Sequence, residues 1–260
     1  MKKGIELYSN KEIEKIKKAC QVVAEVLHVI AEQIKPGITP WDIEQIAREE
    51  AKKRGAKPAF LNYKPPFSDM RYPAATCVSI NEEVVHGLPK KNRVIEEGDL
   101  VSVDFGAIID GYAGDSAITV AVGNVDEEKR KLMEATRLAL QRAVEQAFAG
   151  NWLSNLVEAV HSTAEEFGVY PVLKYGGHGI GKKVHEEPFV PNNRKDLGKK
   201  DIKLRRGMVI AIEPMFALGT EETVHDGDGW TVKTKDGSPS AHFEHTVAIT
   251  KEGPLVLTEL

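Results

Sequence analysis

Gly98-Asp99-Leu100-Val101-Ser102-Val103-Asp104 and Gly207-Met208-Val209-Ile210-Ala211-Ile212-Glu213 read as two versions of one unit: a glycine, a short apolar strand, and a carboxylate six positions on. Each unit follows a pair of helical stretches. In the first pair, Ile13, Ile16, Cys20, Val23, Leu27, Ile30 and Ile34 recur at spacings of three and four after Ser9 and Asn10, the stripe of a helix with one face in a core. Pro36 and Gly37 end that helix, and a second opens at Thr39 with Pro40 in its first turn and Asp42 as a box-like partner, closing near Gly55. Residues 125–150 and 152–168 form the second pair, with Leu153, Leu156, Val157, Val160 and Ala164 on one face. Gly37 and Gly55 lie 18 apart, as do Gly150 and Gly168, and the second pair follows the first by 113 positions. Repetition of helix, helix, strand and carboxylate predicts a duplicated fold whose halves, about 1–123 and 124–260, face each other across one site.

Composition narrows the chemistry. The chain has 260 residues, 42% hydrophobic and 28% charged, which excludes a disordered, collagenous or rod-like protein. Its 35 basic against 39 acidic residues give a net charge of −4, without the basic footprint that nucleic acid or an anionic membrane requires. No apolar run reaches the roughly 18 residues of a spanning helix, and residues 1–8 lack a signal peptide's apolar stretch, so a soluble, cytoplasmic protein is expected. Cys20 and Cys77 are the only cysteines, so a metal would be held by carboxylates and histidines.

Asp104 and Asp115 flank a predicted hairpin in 101–120, with Asp110-Gly111 as its turn signal. If Ile109 pairs with Tyr112, the two acids are diagonal neighbours on one face, with α-carbons about 7 to 8 Å apart; a four-residue loop would set them directly opposite. Two like charges side by side are costly unless a cation lies between them. Glu213 sits among Val209, Ile210, Ile212, Pro214 and Met215, and Glu244 lies in 241–250, which reads as a strand. A carboxylate in such company is neutral, paired or metal-bound. His178, within Gly176-Gly177-His178-Gly179-Ile180-Gly181, has neighbours small enough for a ligand to approach closely. The same stretch has P-loop spacing at Gly176, Gly181 and Lys182, but Lys183 replaces the Ser or Thr such a loop needs. Four carboxylates and a histidine suit two divalent first-row ions, which together acidify a bridging water and polarise a carbonyl.

These residues and their neighbours resemble the type I methionine aminopeptidases. The motifs are Ser79-Ile80-Asn81-Glu82-Glu83-Val84-Val85-His86-Gly87-Leu88-Pro89, Val103-Asp104-Phe105, Gly114-Asp115, Gly177-His178-Gly179-Ile180-Gly181, Ile212-Glu213-Pro214-Met215 and Phe243-Glu244-His245-Thr246. The resemblance implies an α+β, duplicated pita-bread fold as a single catalytic domain over 1–260, with a curved, mainly antiparallel sheet around a dinuclear metal site. It makes Asp104, Asp115, His178, Glu213 and Glu244 ligands to two divalent ions drawn from Co, Mn, Fe, Ni or Zn, with Asp115 and Glu244 bridging and Glu213 also the general base. It gives His185 the scissile carbonyl and His86 the substrate's backbone nitrogen. The methionine pocket would be formed by Tyr72, Cys77 and Trp230 beside His86, with Val184 in place of a common aromatic and 65–71 departing from a segment that often adds a wall. Asn81 and Ser240 match positions that help bind a monovalent cation in some relatives. The implied activity is removal of the initiator methionine from nascent chains with a small second residue, by a monomer, with the ribosome a partner to consider. The rivals are a proline-specific aminopeptidase of the same superfamily, for whose separate N-terminal domain 260 residues leave no space, and a non-catalytic pita-bread binding protein, which would have lost ligands.

Overall fold

Local capping chemistry sets where the first two helices begin. Ser9 and Glu12 form a reciprocal capping box at α1 (Asn10–Gln33), and Thr39 and Asp42 form another at α2 (Pro40–Lys53), where Pro40 takes the first position. The computed structural model describes residues 4–65 and 70–260. Along α1 the expected stripe is buried from Ile13 to Ile30, while Ile34 falls just past the helix in extended backbone. Strands β1 (Lys57–Pro58), β2 (Thr76–Ile80), β3 (Glu83–Val85), β4 (Leu100–Ile109) and β5 (Tyr112–Ala121) complete the first half.

The second helix pair is α3 (Glu127–Glu145) and α4 (Leu153–Phe167). The helix expected through 150 stops five residues earlier, after which Gly150 donates to the Leu204 carbonyl rather than to a helical one. Trp152 offers α4 no side-chain cap; Asp201 instead accepts from the Ser154 amide and hydroxyl. Strands β6 (Tyr170–Pro171), β7 (Gly176–Gly179), β8 (Glu186–Pro191), β9 (Val209–Ile212), β10 (Met215–Ala217), β11 (Thr223–His225), β12 (Val232–Thr234), β13 (Ser240–His242), β14 (His245–Ile249) and β15 (Pro254–Val256) follow. The repeat seen in the sequence has a backbone counterpart: φ is +98° and +96° at Gly37 and Gly150, +68° and +65° at Gly55 and Gly168, and +91° and +88° at Gly98 and Gly207. Such left-handed values favour glycine at both copies.

Every described strand pairing is antiparallel. One sheet runs β1-β4-β2 with β5 also on β4; another runs β15-β14-β9-β7-β8; two smaller ones are β13-β10-β6 and β11-β12-β3. Val101, Val103 and Phe105 of β4 pack with residues of α1 and α2, and Ile210, Ile212, Val247 and Ile249 pack with residues of α3 and α4. Side chains alternate along a strand, so with Val103 and Phe105 committed to the helices, Asp104 lies on the opposite face. The helices thereby turn the acidic faces inward.

Stretch 241–250 is not one strand, as expected, but two in different sheets, with Phe243 and Glu244 between them. The break has a hydrogen-bonding cause. Glu244 donates its amide to the Ala117 carbonyl and accepts from the Ser116 hydroxyl, so its backbone is satisfied by β5.

Candidate metal centre

Asp110 and Gly111 both have left-handed φ, 50° and 80°, giving the two-residue hairpin in which Ile109 pairs with Tyr112. Asp104 therefore opposes Ala117, and Asp115 opposes Gly106, the diagonal arrangement rather than the direct one. Gly114 is required by close packing: a Cβ there would lie 2.5 Å from the Cys20 amide nitrogen on α1. The hairpin is clasped to the second half by hydroxyls. Thr246 Oγ1 donates to the Asp115 carbonyl (2.7 Å), Ser116 Oγ to that of Glu244 (2.6 Å), and Thr119 Oγ1 to that of His242 (2.7 Å).

The glycines around His178 have a different use from the one expected. A Cβ at Gly176 would meet the Val190 carbonyl oxygen at 2.4 Å, at Gly177 that of Ala211 at 2.0 Å, and at Gly179 that of Glu187 at 2.1 Å. Their smallness lets neighbouring backbone, rather than a ligand, approach β7. His178 is thereby carried to within 3.6 Å of Glu213 and 3.9 Å of Asp115, measured from its Nε2 to the nearest carboxylate oxygens.

Asp115, Glu213 and Glu244 are buried, and the donor atoms of Asp115, His178 and Glu244 all lie within 4.8 Å of one another. A second group with the same spread contains Glu213, Glu244 and His242, a buried histidine the sequence reading missed. Its spacing of two from Glu244 was the available signal. Burial pushes the Asp104 and Glu213 carboxyls up to about 7. Burial and the neighbouring acids, Asp104 foremost for Asp115 and Asp115 foremost for Glu244, drive those two well above the usual carboxylate range. Asp104 Oδ1, Asp115 Oδ1, Glu244 Oε1 and His242 Nε2 have no hydrogen-bond partner. Among the described residues, Asp115 has the imidazole of His178 as its ion-pair partner, and Glu213 has those of His178 and His242. Unpartnered carboxylate oxygens and imidazole nitrogens converging in a desolvated pocket fit divalent cations as the missing countercharge.

Beside this centre, Tyr72, Cys77 and Val184 are buried in one cluster with Trp230 packed against it. The Tyr72 and Trp230 rings meet edge to face at 5.2 Å, and the Tyr72 hydroxyl donates to the Thr76 and Gly87 carbonyls, so its ring rather than its hydroxyl is free to face a ligand. Of 65–71, residues 66–69 lie outside the described residues; Met70 is close to Gly229, where a Cβ would meet its Cε at 2.6 Å. Glu44 was also missed, although it continues the buried stripe with Ala47 and Ala51. It accepts from the Ala75 and Thr76 amides and the Thr76 hydroxyl, holding the start of β2 and hence Cys77.

His86 has φ +59°, a strained value for a residue with a side chain, and its ring stacks edge-on to Tyr175 at 6.1 Å. Desolvation lowers its pKa to about 4. The His185 ring contacts those of His178 (4.3 Å) and Tyr63 (4.9 Å). His185 is exposed as a residue, yet packing around its ring desolvates it, and this, with His178 and His86 nearby, holds its pKa well below the ordinary histidine value. Both imidazoles are thus neutral near pH 7. Asn81, also at positive φ (55°), has its carbonyl oxygen bonded by Ser240 Oγ at 3.0 Å, and the same hydroxyl reaches the Glu83 carbonyl at 2.9 Å.

Comparison with known proteins identifies the family. Residues 14–251 match the model of metallopeptidase family M24. The chain is 69% identical over 257 residues to a methionine aminopeptidase of Aquifex aeolicus, covering 99% of this chain and all of that one. It is 43% identical to methionine aminopeptidase 1 of Mycobacterium tuberculosis over 95% of this chain and 92% of the relative. The crystal structure of methionine aminopeptidase from Thermotoga maritima superposes with a TM-score of 0.93 at 43% identity, over 99% of this chain and 100% of that one. A prolidase from Pyrococcus furiosus matches less closely, with a TM-score of 0.77 at 27% identity, and only 65% of its length is covered. The chain therefore belongs to metallopeptidase family M24, among the pita-bread enzymes of the type I methionine aminopeptidase group, which remove N-terminal methionine with the help of metal.

Proposed function

We propose that Asp104, Asp115, His178, Glu213 and Glu244 hold two divalent ions, with Asp115 and Glu244 shared, and that this centre removes initiator methionine from nascent chains with a small second residue. The observation that carries the reading is the set of buried carboxylates whose unpartnered oxygens converge on imidazole nitrogens. Glu244 belongs to both groups of donors, which supports its bridging role. When bound, the ions supply Lewis acidity, polarising the scissile carbonyl and acidifying water.

The chain's own residues do the rest. Glu213 takes the proton of the attacking water at its carboxylate. His185, neutral near pH 7, donates a hydrogen bond to the carbonyl oxygen as negative charge develops there. His86 contacts the substrate's backbone nitrogen and assists departure of the new amine. Tyr72, Cys77 and Trp230 surround the methionine side chain, whose thioether gains from aromatic and sulfur contacts. The carbonyls of Asn81 and Glu83 meeting at Ser240 support a monovalent-cation site at that corner. We place the enzyme in the cytoplasm as a monomer, within reach of the ribosome's products. No helix among the described residues is long and apolar enough to cross a membrane.

Metal-stripped protein resupplied in turn with Co, Mn, Fe, Ni or Zn and given Met-Ala-Ser, Met-Leu-Ser, Leu-Ala-Ser and Ala-Pro-Ser tests this reading. Metal-dependent release of methionine, at least about tenfold faster from the alanine than the leucine peptide, is expected. Release from the proline peptide would favour the prolidase reading, and silence throughout would favour a binding protein. In the same assay His185→Ala is expected to lower kcat by about a hundredfold or more with little change in KM, because its bond strengthens only in the transition state. A change confined to KM would remove His185 from that role.

A further inference from the structure

His242 is the imidazole at the centre to which neither the motifs nor the resemblance assigns a role. It is 1% exposed, and its Nε2 has no hydrogen-bond partner. That nitrogen lies 3.4 Å from Glu213 Oε2, while His178 Nε2 lies 3.6 Å from Glu213 Oε1. The two oxygens of one carboxylate therefore face two different imidazoles. Two donor groups of like composition share Glu244: Asp115, His178 and Glu244 in one, Glu213, His242 and Glu244 in the other, each within 4.8 Å. Donors bound to one first-row ion at about 2.0 to 2.1 Å are separated by roughly 3 to 4 Å, the range in which Nε2 and Oε2 already stand. The backbone that carries the ring is pinned, since the His242 amide donates to Thr119 Oγ1 (2.9 Å) and that hydroxyl donates to the His242 carbonyl (2.7 Å). A buried imidazole nitrogen that faces a carboxylate oxygen at 3.4 Å without a hydrogen bond is costly unless a ligand completes it.

We propose that His242 Nε2 is an additional metal ligand, supplying with Glu213 and Glu244 a nitrogen donor to a different ion from the one His178 holds. The proposal rests on the dinuclear reading above. Each ion position then has its own imidazole, which shifts preference from Mn toward Fe, Co, Ni and Zn.

Titration of metal-stripped protein with Co2+, followed by calorimetry and visible absorption, tests it in wild type, His242→Gln, His242→Asn and His178→Ala. Wild type is expected to bind two ions. Either His242 variant should weaken one site by about tenfold or more and alter the Co2+ absorption, leaving the other site as it was, whereas His178→Ala should weaken the other site. A measurement on unmutated protein stands beside these: Co2+-loaded wild type should show two hyperfine-shifted, solvent-exchangeable imidazole N–H resonances. One such resonance, or wild-type affinities and absorption in both His242 variants, would overturn the assignment and leave the dinuclear centre intact; a fall in turnover without those changes would make His242 a positioning residue for Glu213. Failure of wild type to bind Co2+ would overturn both readings.

Discussion

Glu213→Gln should lower kcat at least about a hundredfold while making the metal-free protein more stable at alkaline pH. The two effects share one cause, the burial of this carboxylate beside three others. Gln keeps the shape and loses the base, so it cannot take a proton from water. The stability effect follows from the raised pKa. With a folded value of about 7 against an ordinary 4.5, the folded state holds a proton that the unfolded state has released over that interval. Stability associated with Glu213 therefore falls as pH rises from about 4.5 to 7, and the full penalty is present above 7; removing the charge recovers at most about 3 kcal/mol there and nothing below pH 4. Melting temperatures of metal-free wild type and variant at pH 4 and pH 8, with kcat on the loaded enzymes, check both halves. Near-wild-type turnover would sink the base assignment, and equal melting at pH 8 would sink the electrostatic account.

Gly177→Ala is the second large effect, and it is steric. The new methyl carbon would lie 2.0 Å from the Ala211 carbonyl oxygen and 2.9 Å from its carbon, both backbone atoms of β9, so no side chain is available to move aside. Separating β7 from β9 is expected to cost about 3 kcal/mol or more, lowering the melting temperature by roughly 10 °C. It also draws His178 away from Glu213, now 3.6 Å apart, so divalent-metal affinity should fall at least about tenfold. Gly198→Ala is the control, because a Cβ there meets nothing closer than 4.0 Å. Equal melting of the two variants would show that the strands have slack that these distances deny.

Much of the centre was legible because its determinants are local. A hairpin turn with Gly after Asp, alternation along β4, and carboxylates inside apolar strands are properties of adjacent residues, so Asp104, Asp115, Glu213 and Glu244 stood out without tertiary information. Helix starts at Ser9 and Thr39 were legible for the same reason, since each cap and its partner are three residues apart. Where a cap comes from 47 residues away, as Asp201 serves Ser154, the sequence is silent.

The amino-acid sequence by itself determined the helix pairs, the repeated strand units and the chemical character of the acids, because capping, periodicity and turn geometry act over a few residues. Only the tertiary structure decided that the glycines of β7 serve strand packing, that Glu244 breaks its strand to bond β5, and that His242 faces Glu213. Those outcomes depend on groups brought together from separate strands, and for Glu244 from the other half of the chain, where a hydrogen bond or a 2 Å clash is set by distances in space that spacing along the chain does not encode.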